Sequence, residues 1–138
     1  MMKRVLIAYD GSPSAERAFR FGLELVKPFA AEVVLLSVVH PPEPAEMVES
    51  SAWLDAATEH YEKAFATLQE AAKAAGVAMT AKVATGHPAE QIIHEAAEQK
   101  ADVIVMGHRG KSVFQRWLLG SVSKRVLSYA PCAVLIVR

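Results

Sequence analysis

A doubly wound α/β domain is the fold this sequence predicts, and three features of its patterning carry the prediction. Apolar runs recur at Val5-Leu6-Ile7-Ala8-Tyr9, at Val33 to Val39 with Ser37 the one polar residue, and at Val103-Ile-Val-Met106. Solid runs of this kind mark parallel strands covered on both faces, because a strand with one wet face alternates. Between the runs, apolar residues recur at the three- and four-residue spacing of amphipathic helices. Finally, neither an internal repeat nor a long linker interrupts the 138 residues, so one domain spanning 1–138 is expected.

The elements follow in order. After the first strand, Asp10-Gly11-Ser12-Pro13 breaks the run, with Ser12 a good N-cap and Pro13 at the first helical position. Ala15, Ala18, Phe19, Gly22, Leu23 and Val26 form the inner stripe of the first helix, which Pro28 ends. Val33 to Val39 is the second strand. His40-Pro-Pro-Glu-Pro-Ala45 cannot extend it, since proline lacks a donor and fixes φ, and loop is predicted through about residue 49. A long helix then carries Leu54, Ala57, Tyr61, Ala64, Phe65, Leu68 and Ala72 on one face, with Gly76 just past its end. Val77, Met79, Ala81 and Val83 alternate with smaller or polar residues, which predicts a less covered strand. Lys82 within it suits a sheet edge, where a charge deters unwanted pairing. His87-Pro88 opens a third helix with Ile92, Ile93, Ala96 and Ala97 expected to face inward. Ala101 to Met106 is the fourth strand, Gly120 or Ser121 to about Tyr129 the fourth helix, and Ala133 to Val137 the last strand. Repeated β-α-β units with right-handed crossovers give a parallel sheet with helices on both faces.

Composition narrows the function classes. Hydrophobic residues make up 52% of the chain and charged residues 22%, which excludes disorder for most of its length. Fifteen basic residues balance fifteen acidic ones, so no global field draws in nucleic acid or an anionic membrane. No apolar stretch approaches a membrane span, and the opening Met-Met-Lys-Arg runs into a strand too short for a signal peptide. A cytoplasmic location is expected. The single cysteine, Cys132, cannot form an internal disulfide and reads as a small core residue.

The chemistry-bearing signal is Gly107-His-Arg-Gly110, nine further residues, then Gly120-Ser121. A buried strand that breaks into a glycine-punctuated loop can bring backbone N–H groups up to a phosphate. A helix opening at Gly120-Ser121 adds unpaired donors and partial positive charge. Each half alone is an ordinary surface turn or helix start. Together, at the end of a central strand, they describe a nucleotide site. Established phosphate loops are absent: Gly110-Lys111-Ser112 resembles the end of a Walker A loop, but its first glycine would fall at Val105. Likewise, Asp10-Gly-Ser-Pro-Ser14 lacks the dinucleotide fingerprint. Arg109 and Lys111 are read either as phosphate-neutralising or as solvated loop residues. Ser121 and Ser123 are natural helix caps, a role compatible with phosphate binding. The histidines at 40, 60, 87, 94 and 108 show no metal-ligand spacing with Cys132 or a carboxylate cluster. No nucleophile–base set emerges, so no catalytic residue and no resident metal are assigned.

The G-x2-G-x9-G-S spacing at the fourth strand resembles the ATP-binding motif of the universal stress protein family. The resemblance runs from Lys3-Arg-Val-Leu-Ile-Ala-Tyr-Asp10-Gly-Ser12 to Ala130-Pro-Cys-Ala-Val-Leu-Ile-Val137. It implies a five-stranded parallel sheet of order 3-2-1-4-5 and a crevice between strands one and four that binds ATP, with Mg²⁺ carried by the phosphates. Within that crevice it implies that Ala8 and Val38 wall the adenine pocket and that Met106 completes its apolar floor. Asp10 would border the adenosine, although a cap-like role beside Ser12 also stands. The triphosphate would rest on the 107–112 loop, with Gly107, Arg109, Gly110, Lys111 and Ser112, and on Gly120, Ser121, Val122 and Ser123. Turnover in such a family is slow or absent, with autophosphorylation in some members. The function expected is a nucleotide-responsive regulatory or stress-protection module. Alternatives are a nucleotide-independent partner-binding module of the same fold and a slow ATPase or autokinase. Finally, Cys132-Ala-Val-Leu-Ile-Val137 is apolar edge sequence without proline or charge, and a homodimer through this last strand is expected.

Overall fold

In the computed structural model, which describes residues 1–41, 50–109 and 120–138, five parallel strands form one sheet. The strands are β1 (Arg4–Ala8), β2 (Glu32–Val39), β3 (Met79–Thr85), β4 (Val103–Gly107) and β5 (Ala133–Val137). Four helices connect them: α1 (Pro13–Val26), α2 (Ser50–Ala74), α3 (Pro88–Glu98) and α4 (Ser121–Tyr129). The strand order is β3-β2-β1-β4-β5, so the sheet is wound outward in both directions from β1. The loop expected over 42–49, with Glu43, Glu46 and Glu49, lies outside the described residues.

Strand pleat divides the core in two. Val5, Ile7, Val33, Leu35 and Val105 point to one face, where α1 and α2 bury Phe19, Leu23, Tyr61, Phe65 and Leu68 against them. Leu6, Ala8, Val34, Leu36, Ile104 and Met106 point to the other, under α3 and α4 with Ile92, Ala96 and Val126. Such two-sided burial is why these strands read as solid apolar runs. Among the described residues, no helix is long and apolar enough to cross a membrane.

Local signals act at the element boundaries. Ser12 caps α1, its Oγ accepting the Ala15 N–H at 3.1 Å, and Pro13 follows at the first helical position. After Val26 a single 3-10 turn over Lys27–Phe29 holds Pro28, so the helix stops where proline predicts. Gly76 adopts φ +72 beyond the end of α2, a conformation glycine reaches without strain. At the amino ends of β1 and β4, the Asp102 carboxylate accepts the Lys3 and Arg4 N–H groups at 2.7 and 3.0 Å. These bonds hold its carboxyl below the usual range. Observed strand bounds shift by a residue or two from the apolar runs. β4 begins at Val103, one residue after Asp102, whose own N–H bonds the Arg4 carbonyl at 2.8 Å.

Three details correct the sequence reading. Ala97 is exposed, and the inward position on α3 is taken by Glu95, which is 4% exposed. Its carboxylate is bonded at 3.0 and 3.1 Å by the Lys82 ammonium, so the edge-strand lysine also neutralises a buried acid across the β3–α3 gap. Cys132 is partly buried at the margin of the second core, and burial raises its thiol pKa. The third correction is the start of β3 at Met79 in place of Val77.

Replacing Lys82 with Met should leave the Glu95 carboxylate buried without its cation. Because the lysine itself is half exposed, water compensates in part, and a destabilisation of about 1–2 kcal/mol is expected. Urea unfolding measures it. A Lys82→Met/Glu95→Leu double variant should recover most of the loss.

Candidate functional site

Winding outward from β1 leaves the carboxyl ends of β1 and β4 uncovered by any crossover, and ligands of such sheets sit there. A cavity of about 300 Å³ opens at this place, on the α3–α4 face. Ala8, Leu36, Val38 and Met106 supply its sheet wall, Pro88 and Ile92 of α3 one side, and Val122 of α4 another. These walls are apolar. The polar groups converge at one end, where Asp10, Ser12, Arg109, Gly120, Ser121 and Ser123 meet.

Four buried serines near the carboxyl ends of the strands each have a partner, Ser37 on the face of β2 opposite the cavity-lining Leu36 and Val38. Ser14, 2% exposed, donates to the Arg109 carbonyl at 2.6 Å and ties the first turn of α1 to the chain leaving β4. Ser37 donates to the Tyr9 carbonyl at 2.6 Å across the β1–β2 ends. Ser12 caps α1, and its own N–H is held by the Asp10 carboxylate at 2.9 Å. Thus Asp10 performs the cap-like role while lining the cavity. Ser123 donates to the carbonyls of His108 and Gly120 at 3.1 and 2.9 Å.

Gly107 is fixed by packing. A Cβ there would collide with the Ser14 Oγ and come within 2.9 Å of the Ser14 carbonyl carbon, which is backbone and cannot rotate aside. Gly120 has a different use. It is the N-cap of α4 with φ −61 and ψ 156 and provides no side-chain cap. The opening N–H groups of this helix have no intrahelical acceptor, and residues 120–123 line the cavity. The Gly120 N–H bonds the His108 carbonyl at 2.7 Å. With the Ser123 hydroxyl on the same carbonyl, this staple brings the two halves of the glycine signature together.

Every residue the sequence grouped as a site, where described, lines this one cavity: Ala8, Asp10, Val38, Met106, Gly107, Arg109, Gly120, Ser121, Val122 and Ser123. Gly110, Lys111 and Ser112 lie outside the described residues. Sequence reading missed Tyr9, Ser12, Ala15, Leu36, Pro88 and Ile92 as lining residues and missed Ser14 and Ser37 as supports. Leu36 and Val38 share one face of β2 by the two-residue period, a signal that was available. Ser14 and Ser37 carry no such signal. Tyr9 donates its hydroxyl to the Glu16 carboxylate, and burial together with this acid raises its pKa, so the phenol stays protonated.

A model of the universal stress protein family matches residues 1–138. The chain belongs to that family. It is 37% identical, over 140 residues taking in all of both chains, to a universal stress protein of Thermus aquaticus. Among solved structures, the universal stress protein UspA of Lactobacillus plantarum matches with a TM-score of 0.91 at 26% identity, covering 99% of this chain and 98% of that one. A universal stress protein solved in complex with cAMP matches with a TM-score of 0.78 at 25% identity, covering 99% and 97% of the two chains. The shared fold of this universal stress protein includes the sheet order that uncovers the cavity.

His108 sits at the junction of β4, β5 and the cavity, its N–H on the Val137 carbonyl at 2.9 Å. Its Nδ1 is buried and has no partner among the described residues. Burial first, then the charge of Arg109, lowers its pKa below the ordinary 6.5; Arg138 and Arg17 act in the same direction and the Val137 carbonyl against them. A depressed imidazole pKa means the unfolded chain binds the proton more tightly. Its contribution is therefore intact above about pH 6.5 and lost as pH falls through that value toward the folded pKa. Urea unfolding at neutral and mildly acid pH should show a steeper acid loss for the wild type than for His108→Gln.

Proposed function

We propose that this universal stress protein binds ATP in the cavity between β1 and β4 and acts as a nucleotide-responsive regulatory or stress-protection module. The observation that supports the reading most is the division of one cavity into an apolar slot and a polar end at a helix N-terminus. An adenine base suits the slot of Ala8, Leu36, Val38, Met106 and Ile92. Phosphates suit the opening N–H groups of α4 at Ser121 to Ser123, with Arg109 as a nearby cation. Complex formation with cAMP by a structural relative supports an adenine nucleotide as the ligand class.

Regulation is the preferred reading over catalysis. Among the described residues, the one carboxylate lining the cavity, Asp10, accepts the Ser12 N–H with one oxygen, and Tyr9 is held protonated against Glu16. Tyr9, so protonated, offers no general base at neutral pH. Among the described residues, no group of three or more His, Cys, Asp or Glu is placed to hold a metal, so Mg²⁺ would enter with the nucleotide's phosphates. Slow hydrolysis or autophosphorylation would be the upper limit of activity, with ATP acting by shifting the conformations populated.

Calorimetric titration with ATP tests the site. Gly120 has an extended backbone that valine tolerates, so Gly120→Val should fold, crowd the phosphate end and weaken binding at least tenfold, about 1.4 kcal/mol. Unchanged affinity would refute the assignment, and no binding by the wild type would favour a nucleotide-independent partner module. Single-turnover hydrolysis in the same samples should run far below about 10 per second.

A homodimer joined through β5 belongs to the same proposal. This strand lies at a sheet edge, and Val134, Leu135, Ile136 and Val137 are only partly covered within the chain. Pairing with a second copy would occupy both edges in one isologous interface. Light scattering should give about twice the 15.0 kDa chain mass. Ile136→Lys should shift it toward monomer or aggregate, whereas a wild-type monomer at micromolar concentration would refute the dimer.

A further inference from the structure

At the rim of the cavity, β2 and α3 bring two histidines together. His40 directly follows β2, and His87 is the N-cap of α3. Their ring centroids are 4.8 Å apart with the planes tilted by 49°. Both residues are exposed, and the His87 side chain makes no capping hydrogen bond. Among the described residues, neither ring has a hydrogen-bond or ion-pair partner. From these observations we propose that His40 and His87 form a site for one divalent transition-metal ion of the Zn²⁺ or Cu²⁺ type.

The spacing is that of two imidazoles sharing an ion. With metal–nitrogen bonds of about 2.0–2.1 Å, each ring centroid lies roughly 3.2 Å from the metal. Two such rings then stand about 4.5 Å apart for a right-angled pair and about 5.2 Å apart for a tetrahedral one. The observed separation of 4.8 Å falls between these values, and the rings are tilted and not stacked. Imidazole donors select Zn²⁺, Cu²⁺ and Ni²⁺ over the oxygen-seeking Mg²⁺ and Ca²⁺.

The backbone holds the pair in place before any metal arrives. Val39 and Thr85 are in register across β2 and β3, and the Gly86 N–H bonds the Val39 carbonyl at 3.0 Å. Gly86 adopts φ +142, which glycine alone reaches without strain, and this turn delivers His87 beside His40. The His87 carbonyl then accepts the Gln91 N–H at 3.0 Å as α3 begins. Among the described residues, no third His, Cys, Asp or Glu completes a cage, and two imidazoles alone hold an ion exchangeably. Val38 and Pro88, near neighbours of the two ligands in the chain, line the cavity. Bound metal would therefore clasp the end of β2 to the first turn of α3 at the cavity wall.

The test uses nucleotide-free, chelator-treated full chain with any histidine tag removed. Calorimetric titration near neutral pH should give one Zn²⁺ per chain, no binding of Mg²⁺, and weakening in acid because ligation requires neutral imidazoles. His40→Ala and His87→Ala should each weaken Zn²⁺ binding at least about tenfold, and His60→Ala should leave it unchanged. Zn²⁺ should raise the melting temperature of the wild type more than that of the double variant. Far-UV circular dichroism checks that the variants fold, as expected for exposed residues. Wild-type binding of Zn²⁺ no stronger than of Mg²⁺, or equal Zn²⁺ affinity in a folded His40→Ala/His87→Ala variant, would overturn the site. Neither result would bear on ATP binding, which is measured without Zn²⁺.

Discussion

The carboxyl end of the sheet depends on how closely the first turn of α1 approaches the end of β4. The approach is possible only because residue 107 lacks a Cβ, since any side chain there would run into Ser14 backbone. Once the two elements touch, the Ser14 hydroxyl reaches the Arg109 carbonyl and fixes the direction in which the chain leaves β4. That direction places His108 under the start of α4, where its carbonyl receives both the Gly120 N–H and the Ser123 hydroxyl. The position of the α4 N-terminus over the cavity is therefore inherited, bond by bond, from one missing methyl group.

Polar groups in this region are economical. Serine hydroxyls reach short distances and carry little side-chain entropy, so they fasten backbone to backbone without filling the space beside them. Ser12, Ser14 and Ser123 each satisfy a buried polar group beside the cavity, and Ser37 does so on the opposite face of β2. Larger polar side chains at Ser12 or Ser123, which line it, would have occupied the cavity. Glu95 shows the contrasting case away from the cavity, where a buried carboxylate is held by a lysine whose own head group remains in water. This arrangement combines charge pairing with the protection of a sheet edge.

The same topology explains why apolar and polar walls meet in one cavity. Alternation along β1, β2 and β4 gives Ala8, Leu36, Val38 and Met106 a common face, and the carboxyl ends bring the loops and helix starts to that face. Apolar surface comes from the sheet and directional donors from the helix termini. An amphipathic ligand with a flat apolar part and an anionic part is the chemical complement of that pairing.

Much of this was readable from residue order because short-range physics controls it. Solid apolar runs reported two-sided burial, Ser12-Pro13 and Pro28 marked the ends of α1, and Gly76 marked the end of α2. The glycine signature and the strand-end Asp10 were legible as a group, and the described members do surround one cavity. What the order of residues could not contain were contacts between distant segments whose side chains are individually unremarkable. Ser14 and Ser37 look like any helix or strand serine until the fold sets them beside Arg109 and Tyr9. Ala97 and Glu95 lie two residues apart in one helix, on roughly opposite faces, and hydrophobicity alone favoured the alanine. Only the presence of Lys82 on the facing strand lets the glutamate turn inward. His40 and His87 likewise carry no common spacing, because the register of β2 with β3 and the turn at Gly86 bring them together. Local sequence decided which elements form and where they end, since caps, prolines and periodicity act within a few residues. Tertiary structure decided which side chains meet, since that depends on register, crossover and close approach between segments far apart in the chain.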